Sequence, residues 1–80
     1  MMINVNEVCE QISMFVPDIT VQPDDKLDES GIDSMTLVRL VLQLESFFDV
    51  MISDALLDTE TFRTPRNITK ALNISKDNSP

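Results

Sequence analysis

Apolar residues recur at helical spacing in three stretches of this chain. In the first, Val5, Val8, Cys9, Ile12, Phe15 and Val16 fall three or four residues apart. That spacing predicts an amphipathic helix over residues 3–16 with one buried face. Asn4, with Glu7 three residues on, has the form of a capping box with Asn in place of Ser or Thr. Pro17 ends the helix, because the residue before a proline avoids the helical region. A second helix is predicted over residues 34–48, capped by Asp33. The third stretch predicts a helix from residue 65 to 72 or 74 that buries Ile68, Ala71 and Leu72. Thr64-Pro65 supplies its N-cap and a proline at the first helical position. Between the second and third lie one loose turn over residues 54–57 and a short helical piece over residues 59–62, with Asp58 as its cap. No stretch alternates as a strand would, so the expected class is all-α, with three main helices and a minor one.

Residues 17–33 predict a long loop. Pro17, Pro23 and the acidic run from Asp24 to Glu29 oppose regular structure. Loops longer than about 12–15 residues in a small domain are usually functional or disordered. Ile19, Val21 and Leu27 give this one apolar anchors, so it should pack along the core. The only glycine, Gly31, stands at its end, where it permits a tight turn or a close backbone approach.

The second helix is more apolar than one buried face requires. At about 100° per residue, Leu37, Leu40, Val41, Leu44 and Phe48 share one side and form the core stripe. Met35, Val38 and Leu42 form a narrower second stripe beside it. Thr36, Arg39, Gln43 and Ser46 take the remaining sector. A small bundle cannot easily bury both stripes, so the second should be at least partly exposed and suited to docking. Met35 also suits a surface that repacks against several partners. The alternative is that Met35 and Val38 pack under the long loop.

Composition narrows the function classes. Eighty residues suffice for one small domain, and a domain of this size buries only about 60% of its unfolded surface. One cysteine excludes an internal disulfide, while 42% apolar residues still allow a core. No basic region followed by an apolar block marks a signal peptide, and no apolar run approaches the roughly 20 residues of a membrane span. A reduced, cytoplasmic location is expected. A net charge of −8 disfavours nucleic acid, which is bound through Lys and Arg. It favours protein partners with basic patches, or simply keeps the domain soluble.

Catalytic and metal chemistry find little support. The chain has no histidine, the commonest general base and metal ligand. Cys9 lies on an apolar face and reads as a core filler. One glycine cannot build a phosphate loop. The acidic loop fails the EF-hand pattern: with Asp25 as first ligand, Ser30 stands at the required glycine and Leu37 at the required glutamate. Starting from Asp24 puts Glu29 and Thr36 there. A solvated charge run is expected rather than a metal site, and no catalytic residue is predicted.

Ser34 is different. It sits in Gly31-Ile32-Asp33-Ser34-Met35, where the acidic loop passes into the apolar second helix. A hydroxyl there has no activating neighbour in sequence, so it reads as a residue to be modified rather than one that reacts. A helix N-terminus offers unpaired N–H groups and a positive dipole end. A phosphate attached at that end is therefore favoured. The competing reading is that Asp33 and Ser34 are only capping residues, and the tetrapeptide alone is a weak signal.

Taken together, residues 3–74 resemble the acyl and peptidyl (aminoacyl) carrier protein family. Leu27-x-x-x-Gly31-Ile32-Asp33-Ser34-Met35 is similar to the family's attachment motif. Leu37, Leu40, Leu44-Glu45 and Phe47-Phe48-Asp49 resemble its second-helix pattern, and Thr64 and Ile68 stand where its last helix begins and packs. The resemblance implies a small four-helix bundle with a short third helix. It implies 4′-phosphopantetheine on Ser34, installed from coenzyme A by a phosphopantetheinyl transferase, with the thiol holding cargo as a thioester. It further implies a carrier without catalysis of its own. Asp33 would help the transferase dock, and Met35, Val38, Arg39 and Leu42 would meet partner enzymes. The expected organisation is a carrier domain over residues 1–74 and a flexible tail over residues 75–80.

The departures concern cargo. Fatty-acyl carriers of this family are typically acidic along the second helix, whereas here Thr36, Arg39 and Gln43 are exposed and Arg39 replaces a common acid. Residues 62–68 look more like discrete aminoacyl carriers, including D-alanyl carriers, although those usually have one more residue before the Asp-Ser pair. The leading expectation is a free-standing, monomeric carrier of an aminoacyl or small acyl group in a specialised (secondary metabolite) pathway. It would be loaded by an adenylating enzyme or acyltransferase and used by a synthase, oxidase or transferase. The alternatives are a fatty-acyl carrier in lipid synthesis, a D-alanyl carrier, or an unmodified helical adaptor.

Overall fold

The computed structural model describes residues 2–52 and 61–77. Three helices form in chain order: α1 (Val5–Phe15), α2 (Ser34–Phe48) and α3 (Pro65–Asp77). No strand occurs among the described residues. The architecture is thus small and all-helical, with α1 packed on both α2 and α3. The loose turn expected over residues 54–57 lies outside the described residues. So does the first half of the short helix expected over residues 59–62, whose last two residues, Thr61 and Phe62, sit in a turn.

Each helix starts on the cap its sequence provides. Asn4 accepts the Asn6 N–H at 2.8 Å, so its side chain serves the second helical residue instead of Glu7. The Glu7 N–H goes to the Asn4 carbonyl at 3.0 Å. Asp33 accepts the Thr36 N–H at 2.8 Å, and Thr64 Oγ1 accepts the Asn67 N–H at 3.1 Å. Pro65, at the first position of α3, is fully buried; it has no N–H to leave unsatisfied. At the other end of α2, Asp49 takes the left-handed conformation (φ 54°, ψ 53°) and its N–H bonds to the Glu45 carbonyl. Asp is one of the few side chains that visit this region routinely.

Val8 and Ile12 of α1, Leu40, Val41 and Leu44 of α2, and Ile68, Ala71 and Leu72 of α3 meet in the centre. The connections complete this core with Ile3, Val21, Leu27, Ile32, Val50 and Ile52. Two of the three anchors read in the long loop are therefore buried, and Ile19 packs beside them. Phe15 departs from the expected buried face of α1. It is the last helical residue, next to Val16, which leaves helical geometry (φ −123°, ψ 83°), and it stays 36% exposed.

The helix ends also differ from the spacing-based prediction. Ile3 is not helical. Its N–H donates to Asn73 Oδ1 at 2.7 Å, and its carbonyl accepts from Asn73 Nδ2 at 3.0 Å. One amide of α3 thus holds both backbone groups of the chain's start. At the far end, α3 runs to Asp77 rather than stopping at residue 72 or 74. Residues 75–77 of the expected tail are helical, with Ser75 buried and Lys76 Nζ 3.4 Å from the Phe48 carbonyl; its remainder, residues 78–80, lies outside the described residues.

The long loop reaches α2 through one well-defined turn. The Leu27 N–H bonds to the Arg63 carbonyl at 2.8 Å, and the Leu27 carbonyl accepts from Ser30 at 3.1 Å and Ile32 at 3.2 Å. The bond from Ile32 back to Leu27 spans six residues and closes a Schellman-type end, in which the residue before the donor is left-handed. That residue is Gly31, at φ +97°. Leu27 and Ile32 are both buried, the hydrophobic contact that accompanies this motif. The tight turn expected at Gly31 is present. A close approach is not, since a Cβ added there would meet nothing within 4 Å.

Two outcomes follow. Gly31→Ala should destabilise by about 1–2 kcal/mol through backbone conformation alone, read as a lower urea midpoint with an unchanged slope. Asp33 has its carboxyl held below the usual range, first by the Thr36 N–H, then by the Thr36 hydroxyl, with Arg39 adding to both. A depressed folded-state pKa stabilises the fold above the unfolded value and loses that contribution as pH falls through the folded one. The melting-temperature advantage of wild type over Asp33→Asn should therefore be full near neutral pH and shrink as pH drops below the ordinary aspartate range of about 4.

Candidate functional site

The turn that ends at Gly31 delivers Asp33 and Ser34 to the start of α2. Ser34 is the first helical residue and its side chain is exposed. Its hydroxyl bonds to none of the described residues. Asp33 is spent on the helix: its carboxylate takes the Thr36 N–H and its carbonyl the Leu37 N–H at 2.9 Å. That leaves the N–H groups of Ser34 and Met35 unbonded to described residues, beside the hydroxyl and at the positive end of the helix. The arrangement is short of a base and rich in donors. It favours an anion fixed at the serine over an attack by it.

The outer face of α2 carries the second stripe in the open. Met35 is 71% exposed, and Val38 and Leu42 are each 60% exposed. They do not pack under the long loop, which turns its anchors inward. Arg39 is exposed among them and close enough to help lower the Asp33 carboxyl. The five residues singled out beside Ser34 thus form one surface: Asp33 and Met35 at the helix start, then Val38, Arg39 and Leu42 within two turns.

Sequence patterning missed what lies beyond Leu42. A groove of about 430 Å³ opens there, lined by Leu42, Glu45, Ser46, Asp49, Val50 and Met51. Met51 is 82% exposed. Glu45 is half-buried, and its Oε2 accepts the Ile52 N–H at 2.8 Å. A carboxylate in the last turn of a helix reads as a solvated charge; only the backbone fold after Asp49 turns this one into a structural acceptor.

The remaining candidates take structural roles. Cys9 packs half-buried against the core, and burial, then the nearby Asp25, push its thiol above the ordinary value. A raised pKa disfavours the thiolate that chemistry would need. In the acidic loop, Asp24 pairs with Arg66 (2.7 Å from Oδ1 to Nε, 3.3 Å from Oδ2 to Nη2). Asp25 Oδ2 accepts the Gln22 N–H at 2.9 Å. These carboxylates shape the loop and face different partners. No helix among the described residues is long and apolar enough to cross a membrane.

Comparison with known proteins gives one match. The family model described as phosphopantetheine attachment site matches residues 5–72, from the first residue of α1 to a core residue of α3. No curated protein and no solved structure matches the chain. The matched span contains the helix-start serine, its cap and the exposed stripe. The chain therefore belongs to the phosphopantetheine attachment-site family, carrier domains that bear a covalently attached 4′-phosphopantetheine group.

Proposed function

We propose that Ser34 is the attachment point, and that the domain carries an aminoacyl or small acyl group as a thioester. One observation carries the reading: an exposed hydroxyl at the first residue of α2, beside two unbonded N–H groups and a cap that is already satisfied. The residues fit the group. The phosphate would lie at the N–H groups of Ser34 and Met35, with the Arg39 guanidinium one helical turn away to offset the Asp33 charge. The arm supplies a terminal thiol that holds cargo and, by its length, brings it to successive enzymes. The chain itself contributes position and recognition, not catalysis.

Arg39 and the apolar stripe favour aminoacyl or small acyl cargo in a specialised pathway over a fatty-acyl role. The surface presented by α2 between Ser34 and Gln43 has Arg39 as its only charge. Partners that select an acidic helix would find none here. In this reading a phosphopantetheinyl transferase primes the domain with help from Asp33. An adenylating enzyme or acyltransferase loads it, and a synthase, oxidase or transferase uses the cargo. All meet the Met35, Val38, Arg39 and Leu42 surface of a cytoplasmic monomer. The short helix before α3 would complete a four-helix bundle over residues 1–74.

Two experiments test this. Incubation with coenzyme A and a broad-specificity phosphopantetheinyl transferase should raise the intact mass of wild type by one arm and leave Ser34→Ala unchanged. No gain in wild type would favour the unmodified adaptor. Met35→Asp and Val38→Asp should leave the melting temperature nearly unchanged, as substitutions at exposed positions usually do. Each should lower transferase or loading kcat/KM by about tenfold, equivalent to 1.4 kcal/mol. Loss of the helical circular dichroism signal in either variant would instead make the stripe a packing element.

A further inference from the structure

The net charge of −8 favours partners with basic patches, yet the face of α2 beside Ser34 has the opposite sign. The densest run of acids, Asp24 to Glu29, belongs to the loop before the helix. From Ser34 to Gln43 the helix presents Met35, Val38, Arg39 and Leu42 in the open, and Arg39 is the only charged residue of that stretch. The acids that flank it, Asp33 and Glu45, are each six residues away, about 9 Å along the axis at 1.5 Å per residue. Each accepts a backbone N–H, from Thr36 and from Ile52. Physiological salt screens exposed charges over about 8 Å. A group pressed against the middle of this face therefore meets Arg39 before any acid.

Arg39 is also uncommitted. Lys26 pairs with Glu29 and Arg66 with Asp24, and Lys76 Nζ reaches the Phe48 carbonyl. Arg39 has no hydrogen bond or ion pair to a described residue. It follows Met35 by four residues and precedes Leu42 by three, the spacings that set side chains beside one another on a helix. Met and Arg are enriched at protein interfaces, where Lys, Glu and Asp are depleted. Residues 35–43 contain the first two and none of the other three. An arginine covered by an apolar partner loses its water and gains no charge in return. A carboxylate at the same point answers its planar fork with two parallel bonds.

We propose that Arg39 sets the sign of the partner: the enzyme face that docks on α2 is apolar with a carboxylate opposite Arg39, and a face with a basic residue at that point is rejected. The inference rests on the reading that partners of the Ser34 carrier meet this surface. Attraction and rejection act together in one residue, because like charges brought into contact disfavour the wrong partner as opposite charges favour the right one.

The test uses the intact chain and one phosphopantetheinyl transferase in two forms. One form has an arginine, the other a glutamate, at the point of its docking face that meets the middle of α2. Priming is followed by intact mass. The kcat/KM of each form is expressed relative to its value with Arg39→Ala, which cancels the form's own activity. Wild type should favour the glutamate form over the arginine form by about tenfold, in keeping with one close interfacial charge pair, and Arg39→Glu should reverse that preference. The contrast should shrink at 1 M salt, where screening acts within about 3 Å. Equal relative rates for all three chains, or a preference of wild type for the arginine form, would overturn the inference and leave the carrier reading standing. No mass gain in any of the chains with either form would sink the carrier reading and this inference with it. Light scattering of wild type should give the mass of one chain; a dimer that Arg39→Glu splits would place a second copy on this face and overturn the inference.

Discussion

The site depends on Leu27. Its side chain is fully buried, and both of its backbone groups are committed: the N–H to the segment before α3, the carbonyl to the turn that ends at Ile32. The acidic loop around it has few apolar side chains to hold it in place. A buried leucine is worth about 1.5–3 kcal/mol, and the bonds it makes lie where water cannot compete for them. Everything that follows is set by that anchor: Gly31 adopts its left-handed conformation, Ile32 folds in beside Leu27, Asp33 meets the first turn of α2, and Ser34 emerges on the surface. An exposed serine is thus placed by a residue seven positions away that no solvent touches.

A second set of ties brings α3 into the same arrangement. Arg63 receives the Leu27 N–H, and the Arg66 N–H bonds to the Pro23 carbonyl at 2.9 Å while its side chain pairs with Asp24. The loop before the serine is therefore fastened to the start of α3 by backbone as well as by charge. The exposed ion pair contributes little by itself. Its use is directional, since a bidentate pair fixes which way the loop runs.

Much of this was legible in the residue pattern. The spacing of Leu37, Leu40, Val41 and Leu44 predicts the buried face of α2, and the excess of Met35, Val38 and Leu42 predicts an exposed one. Asp33, Thr64 and Pro65 announce helix starts because their chemistry is local. Two of the misses depend on contacts between residues far apart in sequence, and two on where the backbone leaves a helix. Asn73 reads as a polar residue near a helix end, yet it keeps Ile3 out of α1. Ser75 and Lys76 look like a frayed tail until Phe48 is placed within reach. Phe15 satisfies the period of α1 but falls where the backbone leaves the helix. The groove needs Val50 and Met51 to fold back past Glu45, which no periodicity encodes.

The Asn73 clamp has a further consequence. It draws residue 3 to the C-terminal half of α3, and Lys76 draws the end of α3 to the last turn of α2. Residue 3 is thus tied about one turn from the end of α3, and that end reaches Phe48, about 20 Å along α2 from Ser34 at 1.5 Å per residue. A polypeptide joined at either end, or a surface to which an end is fixed, would leave the serine facing open solvent. The domain is built like a mast stepped at its foot, with Ser34 at the top.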